Sequence, residues 1–428
     1  VNANQEFQSD FLSVTEARTA ISAVIHSIQA QARLHEAIES LPLKECLGRI
    51  LASDVLSPIN VPANDNSAMD GFAFNGKELD AAQDPVNLRI AGAIYAGQTH
   101  SPSIQMGECI KVMTGAMMPP NCDTVIPQEF TKSSEEGSIT FAKDTVRAGD
   151  NRRLCGEDLQ AGKPAIQRGR ILKASDIGLA ASLGIAKLEV YQRIKVAILS
   201  SGDELCSIGI PLQPGKIYDS NRFSLHACLS KLGFEIIDCG IVHDTPDDLR
   251  QAFMQAAQKA DVIISSGGVS VGEADFTKQI MEELGQVGFW KIAMRPGRPM
   301  AFGSLKPVSP KTAPTVFFGL PGNPVAVMVT FYQFVRNALL HLNGALNPEI
   351  PLVSIQSAEA IRKKSGRTEF QRGILFRDPE GRLLVKSTGS QGAGILRSMS
   401  EADCFMILHH DQGNIAPGDW VDVEIFDG

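Results

Sequence analysis

The sequence predicts an α/β multidomain chain. It has a central doubly wound α/β domain, an N-terminal helical and β-insert region, and a small C-terminal β-barrel domain. Three observations carry this prediction. From Lys195 to about Asn343, strand and helix patterns alternate, which suits a parallel or mostly parallel sheet. On either side, short β-type runs are punctuated by Gly, Pro and Asn. The 428 residues suffice for about two to four domains.

Along the chain, Ser13 and Glu16 fit a capping box that opens a helix reaching about Ala32. The runs Arg89-Ile90-Ala91, Cys109 to Val112 and Thr124-Val125-Ile126 read as strands of an all-β insert. A short helical pattern covers Ser175 to Leu183. In the central domain, strands are expected at Val196–Leu199, Glu235–Cys239, Val262–Ser265, Phe289–Ala293 and Val316–Phe318. Helices are expected at Arg222–Leu232, Pro246–Lys259, Phe276–Leu284 and Pro324–Leu340. Beyond about Pro348 strand signals return, with a turn at Asp378 to Gly381 and a final β pair from Gly413 to Phe426. The expected boundaries are 1–53 with 149–190, 54–148, 191–343 and 344–428.

Composition excludes several classes. A net charge of −8, with no long Lys/Arg cluster, argues against a nucleic-acid footprint or a membrane-surface patch. The eight cysteines are scattered without a Cys-x-x-Cys, so they read as reduced thiols in a cytoplasmic setting. Residues 1–10 are polar, and no secretory leader is expected there. The long uncharged run from Thr312 to Val335 is broken by Pro321-Gly322-Asn323-Pro324, so it reads as strand, turn and buried helix rather than a membrane span.

Chemistry concentrates after the central strands, where open α/β sheets bind ligands. Ser265-Ser266-Gly267-Gly268 leads through Gly272 and Glu273 to Asp275, just before a helix. Small-residue turns of this kind let backbone N–H groups approach phosphate. The other loops supply Ser200-Ser201-Gly202-Asp203-Glu204, His243-Asp244, Lys291 with Arg295-Pro296-Gly297-Arg298-Pro299, and Gly319 to Pro324. Acids beside cations around a glycine-rich loop suit a phosphate ester or anhydride with Mg²⁺. Each part also has an ordinary use: acids cap helices, Pro321 and Pro324 end a strand and start a helix, and Arg295 and Arg298 form a solvated pair. His243 has no partner cluster and is not read as a metal ligand. All five loops are expected on one edge of the sheet, and this weighs against the ordinary uses. Two further polar clusters lie at Asn64 to Ala73 and Arg152 to Asp158. Their ordinary uses are a turn with Asx caps and an exposed ion-paired turn.

Taken together the motifs resemble the molybdopterin molybdenumtransferase family, MoeA and its gephyrin-type relatives. The matching pieces are DNSAMDG at 65–71, MTGA at 113–116, GED at 156–158, SSGDEL at 200–205, YDSN at 218–221, SSGGVSVGEAD at 265–275, RPGRP at 295–299 and GLPGNP at 319–324. The resemblance implies Mg²⁺-assisted insertion of molybdate into adenylylated molybdopterin with release of AMP. It implies a homodimer of four-domain protomers whose site joins the α/β domain of one protomer to the β insert of the other. Asp70, Thr114, Arg153 and Asp158 would then meet Glu204, Asp244, Asp275 and Lys291.

In that reading Asp244, Asp275 and Glu204 hold Mg²⁺ or position the attacking oxygen. Lys291, Arg295 and Arg298 neutralise the breaking anhydride, and Arg372 helps to hold the molybdate dianion. Ser266, Gly267 and Gly268 cradle phosphate, beside Pro321 and Pro324. Expected partners are the molybdopterin adenylyltransferase and cofactor-accepting enzymes, with no nucleic acid and no membrane. Three departures stand out. The family's Lys-Pro-Gly-Lys-Pro is Arg-Pro-Gly-Arg-Pro here, and Ala326 and Ala393 stand where the family carries serine. Two other readings compete: a non-catalytic dimeric scaffold that binds molybdopterin, and a molybdopterin adenylyltransferase. The full set of acids and cations argues against the first, and the extra β regions against the second.

Overall fold

The computed structural model describes residues 11–32, 37–98, 103–134, 137–267, 276–309, 311 and 313–426. They form two compact units. One comprises the described parts of Val1–Ser53, Gly169–Lys173 and Lys187–Gly428, and the other comprises those of Asp54–Arg168 and Ala174–Ala186.

The first unit begins with helix α1 (Val14–Ala32). Its capping box is complete: the Ser13 N–H donates to Glu16 Oε2 at 2.7 Å, and the Glu16 N–H to Ser13 Oγ at 3.1 Å. Val14, Ala17, Ile21, Ile25 and Ile28 recur at helical spacing and are buried as one stripe.

The central sheet contains β1 (Lys195–Ser201), β2 (Glu235–Val242), β3 (Val262–Ser266), β4 (Gly285–Lys291), β5 (Pro299–Leu305) and β6 (Thr315–Leu320), in the order β2-β1-β3-β6-β5-β4. Strands β2, β1, β3 and β6 are mutually parallel, while β5 runs antiparallel to β6 and β4 antiparallel to β5. Strand β5 is absent from the sequence reading. Its residues form a nearly continuous apolar run between prolines, with a glycine inside it and no alternation to mark a strand. Gly303 is needed there, because a Cβ would stand 2.0 Å from the Gln286 carbonyl oxygen across the pair. Strand β4 lies earlier than the Phe289–Ala293 expected, and its reversed neighbour makes the sheet mixed.

Helices cover both faces. Alternate residues of β1, β3 and β6 point to opposite sides, as period-two strands require. On one side Val196, Ile198, Ile264 and Phe318 pack with Leu225 and Leu229 of α2 (Asn221–Lys231) and Val325 of α5 (Pro324–Leu342). On the other, Ala197, Leu199, Ile263 and Phe317 pack with Phe253 of α3 (Pro246–Lys259) and Ile280 of α4 (Phe276–Leu284). Burial of each such Val, Leu, Ile or Phe side chain contributes about 1.5–3 kcal/mol. Helix α5 contains a π turn at Phe331–Val335. Among the described residues it is the one helix long and apolar enough to cross a membrane, and most of it is buried against the core.

The C-terminal part of this unit is a closed five-stranded barrel. Thr368–Arg377 pairs with Leu383–Ser387 and Cys404–Leu408, and Val353–Ser357 and Trp420–Ile425 complete the ring. The turn expected at Asp378 is present, with the Gly381 N–H donating to the Asp378 carbonyl at 2.9 Å. The β pair expected within Gly413–Phe426 does not form. Only Trp420–Ile425 is a strand, and it pairs with Val353–Ser357 and Cys404–Leu408 because closing the ring satisfies both of its edges.

The second unit is built on a six-stranded curled sheet, ordered Thr124–Pro127, Gly71–Phe74, Glu108–Val112, Val86–Ile94, Ser138–Phe141 and Lys132–Ser133. One face buries Phe72, Phe74, Leu88 and Ile126, and the other Ile94, Ile110, Val112 and Val125. Gly71 sits so close to the neighbouring strand that a Cβ would lie 2.1 Å from the Ile126 carbonyl oxygen.

Candidate functional site

Strand direction decides what meets in the first unit. The carboxyl ends of β1, β2, β3 and β6 share one edge. The two reversals through β5 bring the end of β4 to that edge as well, where Lys291 pairs with Pro299. The loops carrying Ser201 to Glu204, His243-Asp244, Ser266-Gly267, Lys291 to Arg298 and Pro321 to Pro324 therefore open together, as the sequence predicted.

Two serines ending β1 serve opposite faces. Ser200 Oγ donates to Asp219 Oδ1 at 3.0 Å, and buried Asp219 also accepts from Arg222 Nε at 2.9 Å. Arg222 reaches on to Asp238 at 2.5 Å. Ser201 Oγ donates to Asp244 Oδ1 at 3.4 Å. The Asp244 N–H meets Asp203 Oδ1 at 3.5 Å, and His243 Nδ1 lies 3.6 Å from the same oxygen. The Glu204 carboxylate folds back over Gly202, where a Cβ would meet it at 2.5 Å. Asp203, Asp244 and Glu204 thus crowd hard oxygen donors onto adjoining loops. Among the described residues no cage of three or more ligating side chains is formed. That donor set suits Mg²⁺, which takes one or two carboxylates and fills its remaining positions with water and phosphate oxygens.

Gly267 sits at the turn beyond β3 with φ +89°, and a Cβ there would stand 2.3 Å from the Ser201 carbonyl oxygen. Glycine satisfies both the left-handed backbone and the close approach. Gly268 and Asp275 lie outside the described residues. Ser266 accepts from Asn221 Nδ2 at 2.8 Å, and the same amide nitrogen donates to the Gly322 carbonyl at 2.8 Å. Pro324 takes the first helical position of α5.

The cations are exposed at this edge: Lys291, Arg295 and Arg298. The Arg298 guanidinium stacks over the Phe11 ring, 4.2 Å from its centroid. Arg372 is placed differently. It is buried in the barrel, with Nε donating to Ser398 Oγ at 3.0 Å and Nη2 to the Gly392 carbonyl at 3.2 Å. Burial, then the nearby charge of Arg295, pushes its guanidinium down to about 10. Arg372 thus fixes the 388–398 segment, whose Ala393 carbonyl accepts the Val325 N–H of α5 at 3.0 Å. The contribution of Ala393 is a backbone oxygen, which side-chain identity could not reveal.

The second unit gathers its own polar cluster. Asp70 Oδ1 accepts from the Thr114 N–H at 2.6 Å and from its hydroxyl at 2.8 Å. Those bonds, the backbone one first, hold the carboxyl below its usual range. Asp65 accepts the Cys155 N–H at 2.8 Å and lies 3.6 Å from Arg152. Arg153 and Asp158 are exposed on the same 152–158 turn, where the Asp158 N–H donates to the Val61 carbonyl at 3.0 Å. Arg152 Nε and Asn66 Oδ1 are buried without a partner among the described residues.

Sequence reasoning passed over Asp203, Asp219, Asn221 and Phe11 as individual residues. Asp219 and Asn221 stand in the YDSN motif, which carried the resemblance without a role for either. The Phe11 contact had no local signal.

The fold and this edge define a multidomain α/β protein that sets clamped glycine turns, carboxylates and cations along one sheet edge, an arrangement suited to an anionic ligand. Three family models match the chain in order: "MoeA N-terminal region (domain I and II)" over 12–184, "Probable molybdopterin binding domain" over 197–341 and "MoeA C-terminal region (domain IV)" over 354–426. A molybdopterin molybdenumtransferase of Haemophilus influenzae is 42% identical over 389 residues, covering 91% of this chain and 94% of its own. One from Nostoc sp. is 35% identical over 375 residues, covering 87% and 85%. A solved structure of the molybdopterin biosynthesis MoeA protein of Pyrococcus horikoshii matches at TM-score 0.76 and 26% identity, covering 97% of this chain and all of that one. The chain belongs to the molybdopterin molybdenumtransferase (MoeA) family and is an enzyme, a transferase.

Proposed function

We propose that this chain completes molybdenum cofactor biosynthesis by inserting molybdenum from molybdate into adenylylated molybdopterin, releasing AMP. The observation that carries this reading is the convergence of five loops on one sheet edge, where two turns joined by Asn221 lie beside Lys291, Arg295 and Arg298. Backbone N–H groups and cations at such an edge stabilise the charge that grows as an anhydride breaks. Arg298 is steadied by its stacking on Phe11. Asp244 and Glu204 are the residues we assign to Mg²⁺, together with Asp275, whose position lies outside the described residues. When bound, the ion neutralises phosphate oxygens. Asp203 orients the loop by accepting from the Asp244 N–H.

We assign Asp70, Thr114, Arg153 and Asp158 to the same site, contributed by the partner protomer of a homodimer, with the four-part division of the chain given above. The setting we infer is a reducing cytoplasm. All eight cysteines are free thiols, and burial pushes Cys109, Cys122 and Cys404 up to about 12, where they do not react.

The test is incubation with adenylylated molybdopterin, Mg²⁺ and molybdate. Cofactor and AMP appearing together support the reading. Binding without AMP release would make the chain a scaffold, and adenylylation of free molybdopterin from ATP would place it one step earlier.

A further inference from the structure

Asn221 opens α2, but its side-chain amide bonds outside that helix. The first turn of α2 is held by Asp219, which accepts from the Arg222 N–H at 3.2 Å and from Arg222 Nε at 2.9 Å. The Asn221 side chain instead reaches sideways. Its amide nitrogen donates to Ser266 Oγ and to the Gly322 carbonyl, both at 2.8 Å. A carbonyl can only accept, so the NH₂ end must face Gly322 and the orientation of the amide is fixed by chemistry. Asn221 is 9% exposed, and its Oδ1 is buried without a donor among the described residues. The amide is therefore held through its nitrogen.

The two turns it joins leave the sheet as neighbours. Ser266 pairs with Leu320 at the end of the β3–β6 ladder, and the Gly267 N–H donates to the Leu320 carbonyl at 3.2 Å. Beyond this rung the strands become loops and the ladder can no longer keep them in register. Asn221 spans that interval.

We propose that Asn221 is a positioning residue for the reaction. Its amide staples the Ser266-Gly267 turn to the Pro321–Pro324 turn, so that both face one anionic group of the pterin substrate. This rests on the reading of the carboxyl edge as the substrate site. Two substitutions separate hydrogen bonding from packing. Asn221→Asp keeps the shape but sets an acceptor against the Gly322 carbonyl, and Asn221→Ala removes the staple. The full-length protein is titrated with molybdopterin, and the KM for molybdate is measured separately. Both variants should weaken molybdopterin binding roughly tenfold, the worth of a buried hydrogen-bonded group. The KM for molybdate should be unchanged, and deuterium uptake in peptides spanning 319–325 should rise. Ser266→Ala removes one of the two acceptors and should give a smaller loss, which keeps the test available if either Asn221 variant fails to fold. Parental binding by Asn221→Asp, or by Ser266→Ala where it alone folds, overturns the proposal. Failure of the parent itself to bind molybdopterin would instead overturn the functional reading.

Discussion

Asp70 and Thr114 are joined twice, the same carboxylate oxygen accepting both the backbone N–H at 2.6 Å and the hydroxyl at 2.8 Å. They lie 44 residues apart, on loops that flank the strand Gly71–Phe74 and its neighbour Glu108–Val112. Both bonds favour the ionised acid, so the pair holds a fixed negative charge at the lip of the curled sheet.

The first prediction follows from that charge. Asp70→Asn should nearly abolish AMP release while the fold survives. Thr114→Ala removes the hydroxyl bond and keeps the backbone one, the larger cause of the lowering, so the Asp70 carboxyl rises part of the way toward the ordinary aspartate range. A depressed acid stays ionised down to lower pH, so in Thr114→Ala the acid limb of the pH–rate profile should move to higher pH. An unmoved limb would detach Asp70 from catalysis. If the site is shared across a homodimer, mixing inactive Asp70→Asn with inactive Asp275→Asn should restore activity, because C₂ pairing leaves one site intact in each mixed dimer. No recovery after verified subunit exchange would place both residues within one chain's site.

A second prediction separates two glycines of the same edge. Gly267 holds φ +89° with the Ser201 carbonyl pressed against it, whereas a Cβ at Gly322 would meet nothing within 4 Å. Gly267→Ala should cost at least about 1–2 kcal/mol for the left-handed backbone alone and weaken substrate binding. Gly322→Ala should leave stability within about 0.5 kcal/mol of the parent. Thermal melts of the two variants decide it, and equal midpoints would contradict the structure.

Arg295 provides the third. It is exposed at the edge and close enough to buried Arg372 to lower that guanidinium. Arg295→Ala should raise the barrier read from kcat/KM by about 2–4 kcal/mol, the cost of losing one stabilising group at an oxyanion. Arg295→Lys should be tolerated, because neutralising an anion requires charge first and a planar fork second. Losses of equal size would show that the chain depends on the fork.

The barrel gives a fourth, on acid stability. Asp422 accepts from Ser354 Oγ at 2.6 Å and lies 2.8 Å from His409 Nε2. The Ser354 bond first, then His409, holds its carboxyl below the ordinary value. A folded-state value below the unfolded one stabilises at pH above the ordinary aspartate range, near 3.9, and that stability disappears as pH falls through the lower folded value. Ser354→Ala should therefore lower the melting temperature at pH 6 by more than at pH 2. The same difference at both values would mean that the bond does not stabilise the ionised acid.

Much of this protein is set by local chemistry and is legible in the chain itself. The capping box at Ser13 and Glu16, the helices Pro246–Lys259 and Phe276–Leu284, and the five loops of the carboxyl edge follow from residue type and spacing. These depend on neighbours a few positions apart, and the short motifs carried enough independent matches to specify the family. What depended on distant neighbours was not legible. Strand β5 is defined by the two strands it lies between, because its own residues lack alternation. Arg372 reads as one more cation for the site, yet burial and the carbonyl of Gly392 make it the anchor of a loop. Asn221 reads as part of a motif, and only folding brings it to Ser266, 45 residues away, and to Gly322, 101 residues away. Sequence fixes which side chains can donate, accept or carry charge. Tertiary structure decides which of those capacities are satisfied internally and which remain for a ligand, because that depends on burial and on partners the chain order does not place side by side.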